Sequence, residues 1–543
     1  DHDPRQRATS IGPYTSREMC RALIRRVKEL GIAVREGENV VQLLTLGEGR
    51  EKRACGAVVI RADGTLAAYG AENVVLAVGG PGGLYQTSVY PTVHTGGIGL
   101  ALLAGARAQS LPESQYGLAS TRFRWNVSGT YMQVVPRFVS TDADGVGDAQ
   151  EFLRPYFDSV GAMNSFVFLK GYQWPFDSRK AVGGSSLVDI LVYVETVLKG
   201  RRVFLDFRAN PDGFAFDDLS AEAYDYLDKS EALLDTPFAR LFKMNPGAVE
   251  LYRDHGIDIE REPLQVAVCA QHNNGGLAAN HWWESTNVKH LFPVGEVNGS
   301  HGVYRPGGSA LNSGQVGGFR AAEYIGSRYQ GRKVDREKVD KAARQALEEI
   351  AGWVSQCPNA PTTWQAERAE FQARMSRAGA HIRSLDQLSG AVDAAWAQWR
   401  RLESQGCAYH TPVELVETGS VDFDRLNPHK LNSQGLIEAL RNRQLCFAHA
   451  VYLEAIRFAL ESGVGSRGSA IVLDANGVKI HPRLDESWRI APEDEAFRDR
   501  VQETVATING TVQNEWVPRR PIPREEAWFE TAWARFRSGE VYG

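Results

Sequence analysis

The chain has 543 residues, 43% hydrophobic and 23% charged, the composition of a soluble globular protein long enough for two to four domains. A net charge of −5 argues against a dominant nucleic-acid role. Its six cysteines (Cys20, Cys55, Cys269, Cys357, Cys407, Cys446) form no Cys-x-x-Cys pair, which excludes iron–sulfur or structural zinc spacing, and no metal site is expected.

No signal peptide and no apolar run of membrane-spanning length is read, so the expected setting is a reducing cytoplasm, with any membrane contact peripheral and through a partner. Residues 15–30 read as a helix, with Thr15 and Glu18 spaced as a capping box, Met19, Leu23, Val27 and Leu30 at helical spacing, and Gly31 as the stop. Strand-like runs follow at Ile32–Arg35 and Val40–Leu46, then a hairpin, Ala57–Arg61 with Thr65–Tyr69, turning at Asp63-Gly64. Val74–Val78 reads as a buried strand ending in Gly79-Gly80-Pro81-Gly82-Gly83, and a helix is expected around Ile98–Ala106.

From about residue 111 the chain becomes aromatic and loop-rich without a clean period, so a smaller domain with an irregular core is expected to about residue 265. Within it Asp142-Ala143-Asp144-Gly145 reads as a turn, because the remaining ligands of a calcium loop are missing. Residues 181–199 are expected to be helical and Val203–Phe207 a strand. A glycine-rich style returns over 266–330. There the apolar run Leu291–Val294 precedes the loop 295–311, which holds five glycines together with Glu296, His301 and Arg305. Asn312–Ile325 follows as a closely packed helix, and strand, glycine-rich loop and helix N-terminus together form an anion or cofactor cradle. Beyond 331, four amphipathic helices are expected (Lys338–Val354, Thr363–Ala378, Leu385–Glu403, Gln434–Ser462), then a turn-rich segment from 471 to 543.

Two of these stretches resemble a known family. Ala71-Glu72-Asn73-Val74-Val75-Leu76-Ala77-Val78-Gly79-Gly80 is similar to the strand ending in Ala-Thr-Gly-Gly of the fumarate reductase/succinate dehydrogenase flavoproteins. Gly295-Glu296, His301-Gly302 and Arg305-x-Gly-Gly-x-x-Leu311 resemble that family's second signature, and Ser466-Arg467-Gly468 is a weaker match in the tail. The resemblance implies an α/β fold: a Rossmann-like FAD-binding domain in two parts (1–110 and 266–330), an inserted α+β capping domain (111–265), and a helical domain (331–470). It implies FAD as cofactor, held by Gly79, Gly80, Gly295, Glu296 and the backbone of Ala310-Leu311, where Ala310 replaces a usual serine. Arg305 would grip a substrate carboxylate, since a guanidinium meets a carboxylate with two parallel bonds; a structural salt bridge is the other reading of that residue. Arg179 would relay the proton, and His272 and His301 would face the substrate, with a core or second-layer role for His272 left open.

Departures from the family pattern bear on the substrate. Gly117-Leu118-Ala119-Ser120 stands where His-Pro-Thr is usual, and Thr95-Gly96-Gly97 lacks the acid of Thr-Gly-Asp-Gly. A simple C4-dicarboxylate is therefore not expected, but another organic acid or carbonyl-activated substrate exchanging a hydride with flavin N5. With no cluster ligands in the chain, electrons would pass to a soluble carrier or a partner subunit. No Gly-x-Gly-x-x-Gly cradle is read after a first strand, so the resemblance also implies an N-terminally incomplete nucleotide-binding domain. The alternatives are an amino-acid oxidase-like or ketosteroid dehydrogenase-like flavoenzyme, and a non-catalytic subunit.

Overall fold

The computed structural model describes residues 14–409, 433–521 and 528–540. The expected segments therefore run beyond the described residues at both termini, at 410–432 in the helical region, and at 522–527 in the tail.

At the centre lies a parallel pair of short strands, Val74–Leu76 beside Leu291–Pro293, in register Leu291↔Val74 to Pro293↔Leu76. Leu291 and Phe292 are fully buried, as expected, but Val75 is 51% exposed, so the first strand is covered on one side only. Parallel pairing brings the C-terminal ends of both strands to the same edge, which is where ligands sit in open α/β sheets. An antiparallel three-stranded meander, Asn39–Leu46, Arg53–Ile60 and Leu66–Gly70, flanks the pair. Its hairpin turns at Asp63-Gly64 as the sequence predicts, with Gly64 at φ 85°. The Ile32–Arg35 run forms no strand.

The first helix, Thr15–Glu29, ends as predicted: Gly31 at φ 64° and Ile32 donate back to Lys28 O and Val27 O. Its start does not carry the expected capping box. Tyr14 occupies the N-cap, Thr15 is already helical, and Glu18 is drawn to Arg17 and Arg21. The helix buries none of its residues, leaving Leu23, Ile24 and Leu30 more than half exposed.

The aromatic region is not irregular. It folds around an antiparallel five-stranded sheet in the order Trp125–Asn126, Ser114–Ser120, Leu264–Asn273, Arg202–Asp206, Arg137–Thr141. Its widest strand, Leu264–Asn273, straddles the boundary expected at 265 and runs on to His272. The cap sheet is thereby continuous with the candidate site. Ser186–Tyr193 is an α-helix that ends in a π-turn, Val194–Leu198.

Four predicted helices are found at Arg336–Gln356, Trp364–Arg374, Leu385–Gln405 and Ser433–Glu461. The last is apolar around most of its girth from Leu445 to Ile456 and is correspondingly buried. It passes so close to the Ile98–Leu103 helix that a Cβ on Gly99 would collide with Gln444 O. This contact fixes the chain just after the Gly79–Gly83 segment. The tail differs from expectation. Arg500–Ala506 and Val512–Pro518 pair as a hairpin around Gly510 (φ 89°) and add to the short Ala108–Gln109 strand. No helix among the described residues is long and apolar enough to cross a membrane.

Candidate active site

Both central strands end in glycine. Gly79 (φ 67°) and Gly80 follow one, and Gly295 (φ 79°) and Glu296 follow the other. A Cβ on Gly80 would collide with Glu296 Oε1 and the Tyr90 hydroxyl, so the two glycine turns can touch only because position 80 has no side chain. Farther along the loop the reverse holds: a Cβ on Gly295, Gly302, Gly307 or Gly308 would meet nothing within 4 Å. These residues border open space. The 20-residue helix Ser309–Arg328 then starts from Gly308 in the left-handed region (φ 78°), with no side chain capping it. Amides in a first helical turn have no partner within the helix, so those of Ala310 and Leu311 suit an outside acceptor. The helix is less packed than expected, burying only Gly317 and Ala321, while Val316 and Phe319 are more than half exposed.

Glu296 sits between the turns. Its Oε1 accepts from Asn273 N (2.8 Å) and from the Tyr90 hydroxyl. Burial pushes this carboxyl above its usual range, against the opposing pull of the Tyr90 bond.

His272 lies alongside, with Nε2 3.8 Å from Glu296 Oε1, Nδ1 3.1 Å from Asn274 Oδ1, and its ring edge-on to His301 at 4.7 Å between centroids. The short distance to Glu296 does not make an ion pair. Burial, then Arg305 and His301, lower His272 to about 2, and burial, then Arg305, lower His301 to about 4. Both imidazoles are neutral. His272 Nε2 and both ring nitrogens of His301 are buried without a hydrogen-bond partner among the described residues. Orphaned polar atoms of this kind, a free helix terminus and glycine-lined open space fit a polar planar cofactor, which Gly79, Gly80, Gly295, Glu296, Ala310 and Leu311 would frame.

These histidines imply an acid sensitivity. An unfolded histidine titrates near 6.5, so below that pH the unfolded chain binds more protons than the folded one and stability falls with pH. The loss begins near pH 6.5 and continues to about 4 for His301 and about 2 for His272. By pH 5 it should reach about 2 kcal/mol for the buried His272 and less for the partly buried His301. A thermal-denaturation series across this range should steepen below pH 6.5 and flatten partly in His301→Gln. An identical slope in the variant would mean that His301 is solvated.

Arg305 points the other way, into a cavity of about 290 Å³ lined also by Gln115, Arg179, Lys180, Tyr304 and Gly468. Its Nε donates to Gln115 Oε1 (2.8 Å), and Gln115 Nε2 donates to Arg305 O (3.1 Å). The amide thus clamps both ends of the arginine, and among the described residues no carboxylate neutralises it by direct contact. Arg179 reaches the same cavity from the short turn Ser178–Lys180, not from a helix start, and that turn is tied down by Ser178 N donating to Gly468 O (3.0 Å). Asp177 takes Arg179 Nε (3.1 Å) and Nη2 (2.8 Å), and the guanidinium lies 3.8 Å from the Tyr304 ring centroid. The bonds to Asp177 raise Arg179 above its usual value, while burial lowers Lys180 beside it.

Sequence reasoning placed Arg179, Arg305, His272 and His301, and the fold brings them to one region in two zones, imidazoles by Glu296 and cations in the cavity. It missed Gln115, Tyr304 and Asp177 as their partners. The alternation of the Ser114–Ser120 strand was the available signal, since it sends Gln115 and Gly117 to one face. The letters Gly-x-Gly-x-x-Gly do occur, at Gly463-Val464-Gly465-Ser466-Arg467-Gly468, but they follow a helix and precede the Ile471–Lys479 strand. That order is the reverse of a phosphate cradle. Instead Arg467 forms a buried ion pair with Glu113 (2.7 Å), and Gly468 walls the cavity.

Residues 2–147 match the family model described as an FAD binding domain. The chain is 26% identical over 321 residues to a fumarate reductase (CoM/CoB) subunit of Methanothermobacter marburgensis, covering 57% of this chain and 48% of that protein. It is 28% identical over 409 residues to L-aspartate oxidase of Streptomyces coelicolor, covering 72% of this chain and 59% of the relative. The chain thus spans about half the length of the curated relatives it matches. Among solved structures, a quinol–fumarate reductase superposes with a TM-score of 0.62 at 19% identity, covering 94% of this chain and 77% of that one. At that identity the likeness shows the fold: an FAD-binding α/β domain with an inserted cap and a helical domain. Residues 2–147 thus carry an FAD-binding domain match, and the chain as a whole is similar in sequence to fumarate reductase and L-aspartate oxidase flavoproteins and in fold to quinol–fumarate reductase.

Proposed function

We propose that this chain carries the substrate side of an FAD-dependent oxidoreductase acting on an organic acid. The observation that supports this most is the placing of Arg305 and Arg179 on one cavity beside the glycine turns. Bound FAD would supply the centre that accepts or donates a hydride. Arg305, held by Gln115, would bind the substrate carboxylate through the outer part of its fork and draw charge from the reacting carbon. Asp177 holds Nε and Nη2 of Arg179 and leaves Nη1 for the substrate. A proton given from Nη1 would be restored through Asp177, which a guanidinium needs because it is too weak an acid to act alone. The cap sheet and the Arg467–Gly468 turn would exclude water from the cavity. Electrons would be exchanged with a partner subunit or a soluble carrier.

A second reading, oxidation of an amino acid, is favoured by the likeness to L-aspartate oxidases. The two differ in what they need: an oxidase consumes oxygen and releases peroxide on an amino-acid substrate, and a reductase or dehydrogenase turns over anaerobically with an artificial carrier. In whichever assay the flavin-loaded protein is active, Arg179→Gln should lower kcat about 100-fold or more and shift its pH profile, while leaving KM within about threefold. An unchanged kcat would remove Arg179 from the proton path.

A further inference from the structure

A second cavity, of about 360 Å³, lies across the cap sheet from the first. Adjacent residues of a strand face opposite sides, and on Ser114–Ser120 this puts Gln115 in the first cavity and Tyr116 in the second. Its walls come from three parts of the chain. Tyr85 and Thr87 follow the glycine turn, Tyr193 and Val197 belong to the cap, and Arg377 and His381 close the helical domain's side.

The lining is built for a ligand of definite character. Tyr85, Tyr116 and Tyr193 are nearly buried, with the Tyr85 and Tyr116 hydroxyls hydrogen-bonded to each other at 3.0 Å. His381 is 4% exposed, packed against Tyr116 (5.7 Å between centroids) and Tyr193 (5.2 Å), and its Nε2 has no hydrogen-bond partner among the described residues. A buried polar atom with no partner calls for one from a ligand. Among the described residues no acidic side chain lines the space. Arg377 stands at the rim, exposed, and no ion pair or hydrogen bond engages its guanidinium among the described residues. Aromatic walls, an inward imidazole with an unpartnered nitrogen, small polar side chains at Thr87, Thr196 and Ser376, and one cation at the mouth suit a small anion on a flat aromatic body.

We propose that this cavity binds a small aryl carboxylate, with the ring against Tyr116 and Tyr193 and the carboxylate held by Arg377 and by the N–H of His381 Nε2. Because the walls belong to cap and body alike, the bound acid would tie the cap to the body. The site needs no FAD and is independent of the reading of the first cavity.

Benzoate, with benzamide as the neutral isostere, is a suitable probe, titrated calorimetrically into the full chain and followed in parallel by thermal shift. Benzoate is expected to bind and benzamide not. Arg377→Gln should weaken benzoate at least about tenfold, the loss expected for one charge-assisted bond, and Arg377→Lys should keep most of it. Arg305→Gln should leave benzoate binding unchanged. His381→Phe, which removes the Nε2 donor, should weaken it as well. Three results would overturn the proposal: no benzoate binding up to about 10 mM, unaltered affinity in Arg377→Gln, or binding that is lost in Arg305→Gln but kept in Arg377→Gln, which would place benzoate in the first cavity.

Discussion

Arg305→Gln is expected to lower kcat/KM by about two to three orders of magnitude, the usual cost of removing a desolvated, forked contact to a substrate carboxylate. Arg305 is partly buried, and burial lowers its pKa, with Glu296 and Tyr90 acting in opposition. A cation in such surroundings interacts more strongly with an arriving anion than one in water would. Its charge is also unspent, because Gln115 and Pro306 O, which it touches, are neutral. Arg305→Lys should recover only part of the loss, since an ammonium cannot present two parallel donors. The same substitution carries an internal control. Arg305 is a cause of the lowered pKa of both His272 and His301. Removing it should let the His301 pKa rise from about 4 toward the ordinary value, which a proton NMR titration of the imidazole would follow. A variant with normal turnover and an unmoved His301 would deny Arg305 the role given to it.

The parts of this site that could be read from sequence are those encoded locally. A strand, a glycine turn and a helix follow one another over 291–328 in the expected order, although the helix starts at Ser309, three residues before the expected Asn312, because the left-handed Gly308 already turns the chain into it. What could not be read depends on pairs far apart in the chain. Gln115 meets Arg305 across 190 positions, and Arg179 stacks on Tyr304 through a turn whose sequence says only that it is polar. The cap domain was read as irregular because its sheet is assembled from five separated strands, three of them two to five residues long, too short to establish a period. In the tail, prolines and tryptophans masked an alternation that the Val501–Ala506 and Val512–Val517 runs do possess, with Asn509-Gly510 between them. Thr15 failed as a cap for a local reason: the helix begins one residue earlier than the capping box requires, so Glu18 is free to bond the arginines beside it.

The largest stability effect is expected at Lys170, which supports the cavity from below. Lys170 and Asp189 are an ion pair at 2.8 Å with side chains 1% and 0% exposed, and Asp189 Oδ1 has no hydrogen-bond donor among the described residues. Lys170→Met would leave that carboxylate alone in an apolar interior, a change that costs about 3–5 kcal/mol when one partner of a buried pair is removed. The double variant Lys170→Met/Asp189→Leu should recover most of the loss, since the desolvation penalty disappears with the charge. A pH series separates this from simple mispacking. Burial raises the Asp189 pKa and Lys170 opposes it, so without the lysine the carboxyl is held higher still. A folded-state pKa above the unfolded value of about 3.9 means that the folded chain binds the extra proton, so stability falls as pH rises from that value to the folded one. The deficit of Lys170→Met should therefore shrink as pH is lowered toward 4 in denaturant titrations, whereas a packing defect would stay constant. Activity should suffer as well. Lys170 Nζ donates to Gln173 O (2.9 Å) and Trp174 O (3.2 Å), the carbonyls that lead into the Pro175–Lys180 wall. Losing those bonds would loosen the turn that presents Arg179, so kcat should fall in the single variant and stay low in the double one, even though the double variant regains its stability.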